Sequence, residues 1–258
     1  FDYADVWFRD FGPSFVVNRK DRTTAMVAWE FNAWGGKYPW IVRDTRVPSC
    51  LNAQLGLPLY RPGIVLEGGS VDVNGRGTVL TTEQCLLNPN RNPGLARDAI
   101  ESYLEDYLGT PQVIWLEGGI AGDDTDGHVD DVARFVNPST VVFAVETDPE
   151  DENFRVLREN ERILREARDQ DGDPLAVIPL PMPGPLGGDA RLPASYLNFF
   201  IGNRVVLVPV FSDPNDGKAL QVLGGLFPGR KIIPIDCRAL VEGKGAIHCI
   251  TREQPRVG

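Results

Sequence analysis

Apolar and polar residues alternate along this chain in short paired runs, each pair broken by a turn rich in Asn and Gly. Ser14 to Val17 and Thr24 to Trp29 flank a polar turn that begins at Asn18, and Val71 to Val73 and Thr78 to Thr81 flank Asn74-Gly75. Ala133 to Val136 and Val141 to Val145 flank Asn137-Pro138, and Tyr196 to Ile201 and Val205 to Val210 flank Gly202-Asn203. Period-two runs joined by residues that tolerate positive φ predict four β-hairpins.

A run with helical spacing and then a single apolar stretch follow each hairpin. The first unit has a weak helix near Ser49 to Leu55 and a strand at Ile64 to Leu66; the second has Pro93 to Leu108 and then Val113 to Leu116. In the third, Glu150 to Gln170 carries a stripe of Phe154, Leu157 and Leu164 with a charged outer face, and Leu175 to Leu180 follows as a strand. In the fourth, Asp213-Pro214-Asn215-Asp216 starts a helix that presents Ala219, Leu220, Leu223 and Leu226 or Phe227, and Lys231 to Ile235 reads as a strand. The turn asparagines recur at roughly 60-residue intervals, the size of a ββαβ unit and too long for common solenoid repeats. The pattern predicts one α/β domain over residues 1–258, built from repeated units set in a circle. Ala246 to Thr251 is expected to be a strand that opens a fifth unit. Because the chain begins at Phe1 and enters directly into Val6-Trp7-Phe8-Arg9-Asp10, it is expected to lack the beginning of a longer protein.

Composition narrows the classes of function. With 258 residues, 42% hydrophobic and 24% charged, the chain can bury a full core. A net charge of −10 argues against nucleic acid and anionic membranes and is compatible with a small cationic substrate. Cys50, Cys85, Cys237 and Cys249 lie far apart, without C-x-x-C spacing, so neither a zinc site nor a disulfide scaffold is expected, and a cytoplasmic setting fits best. No apolar stretch of about 18 residues marks a membrane span. A homo-oligomer stays open.

The chemistry concentrates around the scarce histidines. Only two are present: His248 beside Cys249 in Gly245-Ala246-Ile247-His248-Cys249-Ile250-Thr251, and His128 among acids in Asp124-Thr125-Asp126-Gly127-His128-Val129-Asp130. The pairing suggests a thiol nucleophile assisted by a general acid/base, with carboxylates to hold a cation. If the Cys249 segment is extended, His248 and Cys249 point to opposite faces, which leaves His128 as the partner of the thiol and His248 as structural.

Trp7-Phe8-Arg9-Asp10-Phe11-Gly12-Pro13, Leu66-Glu67-Gly68-Gly69-Ser70, Gly127-His128-Val129-Asp130 and Ile247-His248-Cys249 together resemble the agmatine deiminase and bacterial peptidylarginine deiminase family, guanidino-modifying enzymes of the pentein fold. Phe31 to Tyr38 and Leu87-Asn88-Pro89-Asn90-Arg91 support the likeness. The resemblance implies a pentein-type β/α propeller of ββαβ units, with the N-terminal part of the fifth unit absent from this chain. It implies deimination of agmatine to N-carbamoylputrescine and ammonia through a Cys249-bound amidino-thioether, with no metal or organic cofactor. Asp10 and Asp130 would grip the guanidinium, His128 would move the proton, and Glu67 would orient His128. Trp7 is a wall of the site or a core residue, and Asp124 meets the far end of the substrate or caps a turn. The second EGG tripeptide, Glu117-Gly118-Gly119, reads as a turn, because only Glu67 has flanks of the family pattern.

Phe11, Asp126 and Arg252-Glu253 replace the Thr, Asn and Gln-Gln that many agmatine deiminases carry at these places. They leave the substrate tail open: Asp126 would suit the amine of agmatine, while arginine or peptidylarginine would need a group for its carbonyl or carboxylate. An amidinotransferase and a non-catalytic pentein that binds a macromolecule are the remaining alternatives.

Overall fold

The computed structural model describes residues 2–188 and 190–255. Its twelve strands form four three-stranded sheets, and all four share one plan: an antiparallel hairpin whose second strand pairs in parallel with a later strand. In the first sheet β1 (Ser14–Asn18) pairs antiparallel with β2 (Thr23–Val27), with Ser14 opposite Val27, and β2 pairs parallel with β3 (Leu59–Tyr60). The second comprises β4 (Asp72–Val73), β5 (Thr78–Thr82) and β6 (Gln112–Leu116); the third β7 (Ala133–Asn137), β8 (Thr140–Val145) and β9 (Ala176–Pro181); the fourth β10 (Phe200–Ile201), β11 (Val205–Val210) and β12 (Lys231–Asp236). A parallel return strand requires a crossover. The helices Val47–Leu55, Arg97–Leu108, Phe154–Glu166 and Asp216–Leu226 supply it in turn.

Local chemistry explains these elements. Asn74 Oδ1 accepts from the amides of Arg76, Gly77 and Thr78, and Gly75 takes φ +71°, so the second hairpin turn is held by one side chain. Asn18 and Asn137 accept from turn amides in the same way. The Phe154–Glu166 helix buries Leu157 and Leu164 and, between them, Asn160, whose amide is satisfied by the Glu117 N–H and the Gly118 carbonyl. Its outer face carries Arg162 to Glu159 and Glu166 and Arg165 to Glu161 at helical spacing.

Two expected strands differ in the structure. The return strand of the first unit is Leu59–Tyr60, and Ile64 to Leu66 contributes only a single bridge from Val65 to Glu30. Pro62 has no N–H and Gly63 turns at φ +81°, so the run is broken before it can pair, and Asn92 supplies both bonds to the Val65 backbone. The Ala246 to Thr251 segment is a turn closed by the Thr251 amide on the His248 carbonyl, not a strand. The fourth hairpin is also shorter than its apolar run: Ser195 to Asn198 forms a turn, and only Phe200–Ile201 pairs. No helix of the described residues is long and apolar enough to cross a membrane.

Candidate active site

Asp10 lies on a one-turn helix, Phe8–Phe11, and its carboxylate is fixed from two sides. The Gly69 amide donates to Oδ1 at 2.9 Å and the Trp34 indole donates to Oδ2 at 2.9 Å. Arg9, beside it, points the other way, donating to both oxygens of Glu253 and to the His248 carbonyl, while its amide donates to the Cys249 carbonyl. The first motif and the last are thus one unit in space.

Gly69 is where the acidic motifs meet. A Cβ there would lie 2.6 Å from His128 Nδ1, 2.9 Å from Asp10 Oδ1 and 3.1 Å from Asp130 Oδ2, so only glycine lets the three side chains converge. His128 and Asp130 reach this point from a 3-10 turn, Val129–Asp131, and not from an extended strand. Asp123 secures that turn by accepting from the amides of Gly127 and His128, with Gly127 at φ +89°.

Asn198 holds the Cys249 turn. Its Oδ1 accepts from the amides of His248 at 2.8 Å and Cys249 at 3.3 Å, while its Nδ2 donates to Asp131 at 3.0 Å and lies 3.1 Å from Cys249 Sγ. Because the segment is a turn, the parity argument that set His248 aside loses its premise. His248 instead places Nδ1 2.7 Å from Asp130 Oδ2, and Cys249 Sγ lies 3.8 Å from the same oxygen.

The surroundings shift the two histidines in opposite directions. Burial disfavours the imidazolium of His128, but the charge of Asp10 and the closeness of Cys85 and Glu67 outweigh it and raise its pKa well above the usual value. Burial lowers the His248 pKa first, and the charges of Arg134, Arg9, Arg252 and His128 lower it further, so it falls well below the usual value. Burial and Asp10 push Asp130 up to about 7 against the pull of His128, Arg134 and Arg9. Burial, then Asp130, Asp131 and Asp10, hold the Cys249 thiol well above its ordinary pKa.

A cavity of about 280 Å³ opens onto this cluster. Trp7, Asp10, Trp34, Tyr38, Asp124 and Cys249 contribute to its wall, which brings together four of the seven expected site residues. Trp7 is wedged against Gly245, where a Cβ would come within 2.5 Å of the ring. His128 and Asp130 are buried beside Asp10, and Glu67 is fully buried further in, ion-paired to Arg91 at 2.6 Å. Asp126, expected to suit a substrate amine, is already occupied: burial opposes ionisation, but Lys37, Asn90 and Arg91 hold it down at about 2. Glu117 of the second EGG tripeptide pairs with exposed Arg155 instead.

Cys85 is buried and lies against the catalytic candidates. Donor atoms of Glu67, Cys85 and His128 fall within 4.8 Å of one another, the one such group among the described residues that could share a metal ion. The Arg91 guanidinium on Glu67 already supplies positive charge there. Glu67 Oε2 and His128 Nε2 have no hydrogen-bond partner. Asn198 and Cys85 carry no local sequence signal of a site; Trp34 lies within the Phe31 to Tyr38 stretch, which carries no signal of its bond to Asp10.

Residues 1–255 match the family described as Porphyromonas-type peptidyl-arginine deiminase. The chain belongs to this family. It is 42% identical to the agmatine deiminase of Pseudomonas syringae pv. tomato, over 97% of this chain and 74% of that protein. Among solved structures, an agmatine deiminase of Enterococcus faecalis superposes with a TM-score of 0.93 at 37% identity, over 98% of this chain and 74% of the other. A structure described as a putative arginine deiminase from Porphyromonas gingivalis gives 0.94 at 42%, over 99% and 77%. The chain therefore spans about three quarters of the length of these relatives. Its α/β fold is also related to that of an amidinotransferase from Microseira wollei, at 14% identity and a TM-score of 0.58, which speaks for the fold alone.

Proposed function

We propose that this chain hydrolyses agmatine to N-carbamoylputrescine and ammonia, with Cys249 as nucleophile, His128 as proton carrier and Asp10 and Asp130 as the guanidinium clamp. The observation that carries this reading is the convergence of His128, Asp10 and Asp130 over Gly69, beneath a cavity whose wall includes Asp10 and Cys249. Family membership and the named relatives support it.

The electrostatics make the reaction depend on its own substrate. Without a cation, burial and the nearby carboxylates keep Cys249 as a thiol. A guanidinium seated between Asp10 and Asp130 neutralises them and puts positive charge beside sulfur, which favours the thiolate. Sulfur then adds to the guanidinium carbon, and His128, held protonated, gives its proton to the departing nitrogen, which leaves as ammonia. The C–S bond stays as an amidino-thioether. Neutral His128 takes a proton from water as its oxygen adds to the same carbon, and the C–S bond breaks to leave the ureido product and the thiolate. Glu67 lies near enough to orient His128, each having one buried atom still unpaired. The thiol proton of Cys249 passes to solvent when the cation binds; water supplies the oxygen, one of its protons restores the His128 imidazolium, and the other reaches the released ammonia through solvent to give ammonium.

One domain over residues 1–258 carries this chemistry, its four sheets standing as blades of a pentein-type propeller around the cluster. The four free cysteines suit a reducing, cytoplasmic setting. The test is ammonia release from agmatine, with the ureido product identified by mass spectrometry and an acid-quenched sample examined for a mass increment on Cys249. Cys249→Ser is expected to release no ammonia, since a hydroxyl at pH 7 is far less ionised than a thiol. Turnover by that variant near the normal rate, or an increment on another cysteine, would overturn the assignment.

A further inference from the structure

Lys244 sits where the backbone disfavours a side chain. Its φ is +68°, in the left-handed region that glycine fills most easily, and its amide closes a turn on the Val241 carbonyl. The glycines on either side are needed for room, since a Cβ on Gly243 or Gly245 would press on the Trp7 ring. The chain nevertheless places a lysine between them. Its ammonium lies 3.2 Å from Asp124 Oδ2, at the wall of the same cavity that reaches Cys249.

Asp124 is therefore not a free acid awaiting a cation. The Tyr38 hydroxyl donates to the same oxygen, and Lys37 donates to the Asp124 carbonyl. Asp5 and Glu242 also line the cavity and keep it acidic overall. A guanidine bound at Asp10 with a tail extending to Asp124 meets a carboxylate that an internal ammonium already shares.

We propose that Lys244 sets which tails the site accepts, by competing with a terminal ammonium for Asp124 and by offering its own charge to a tail that ends in a carboxylate. The proposal rests on the reading of the site as a guanidine-binding one. Agmatine then binds against a like charge, and a guanidino acid of the same length gains a partner. The side chain is 41% exposed, so water moderates both effects, and a change of about three- to tenfold in affinity is the expected scale.

The test is calorimetric binding to Cys249→Ser and to Cys249→Ser/Lys244→Met, with agmatine, 5-guanidinopentanoate and butylguanidine. Methionine keeps the side chain as far as Cε and removes the charged end. Loss of the charge should tighten agmatine by about three- to tenfold and weaken 5-guanidinopentanoate by a similar factor, with butylguanidine moving less than twofold. A structural effect at the strained backbone would shift all three ligands in one direction. Such a uniform shift, or no shift, overturns the proposal, as does failure of Lys244→Gln in the same background to reproduce the crossed pattern. The readout is binding alone. A crossed pattern in a protein that never releases ammonia from agmatine would defeat the proposed reaction and leave the role of Lys244 standing.

Discussion

His128 and His248 are the only two histidines in the chain, both are almost fully buried, and each has an aspartate beside its Nδ1. Their pKa values nevertheless move in opposite directions. His128 lies 3.8 Å from Asp10 with Glu67 and Cys85 close by, and their negative charge outweighs the cost of burial. His248 lies closer to its aspartate, at 2.7 Å, yet Arg134, Arg9 and Arg252 surround it. A neighbouring carboxylate does not by itself decide whether a buried imidazole is charged; burial together with the sum of surrounding charges does. One histidine is thereby prepared to give a proton, and the other is a neutral strut that positions Asp130.

The largest break in this comparison comes from replacing each ring. His128→Asn should lower kcat for ammonia release by roughly 100-fold or more, the worth of a positioned general acid, and His248→Asn by about tenfold at most. Steady-state kinetics on agmatine measures both, and equal or reversed losses would move the proton to the other ring. Next in size are the acids the histidines face. Asp10→Asn and Asp130→Asn should each cost about 10- to 150-fold in kcat/KM, since a charge-assisted hydrogen bond is worth about 1.5 to 3 kcal/mol. Asp10→Asn should also bring the His128 pKa down, and a lower pH limit of kcat in that variant is the check.

The smallest effect is on stability, and its sign differs between the rings. For His128 the folded pKa is raised, so its contribution is complete below about 6.5 and is lost as pH rises through the folded value. For His248 it is depressed. Below about 6.5 the unfolded chain takes up a proton that the fold refuses, so stability falls toward acid pH. Urea midpoints from pH 5 to 9 should show His248→Asn flattening the acid side and His128→Asn the alkaline side. Identical profiles for the two variants would remove the distinction.

Much of this architecture was legible because its signals are local. The Asn74-Gly75 turn writes its own hydrogen bonds into the sequence, and the buried faces of the helices follow from the spacing of Leu157 with Leu164 and of Ala219 with Leu223. Ile64 to Leu66 failed because Pro62 and Gly63 break the chain before an apolar run can pair. Ala246 to Thr251 failed for a different reason: the run is β-prone, but Asn198, about fifty positions away, satisfies its amides with a side chain. The separation of the two histidines by strand parity fell with that strand and rests now on charge. Motifs brought Asp10, Glu67, His128, Asp130 and Cys249 to attention, yet nothing near Asn198 or Cys85 in the sequence announces what the fold packs against them. Asp126 looked available for a substrate because its partners Arg91, Asn90 and Lys37 are remote in sequence.

Selective histidine labelling gives a spectrum with only two imidazole signals, and His248→Asn assigns them. Followed by NMR from pH 5 to 9 in the ligand-free protein, the His128 signal is expected to remain that of an imidazolium well above pH 6.5, and the His248 signal to remain neutral well below it. Two rings titrating together near pH 6.5, or the assignments reversed, would contradict the account.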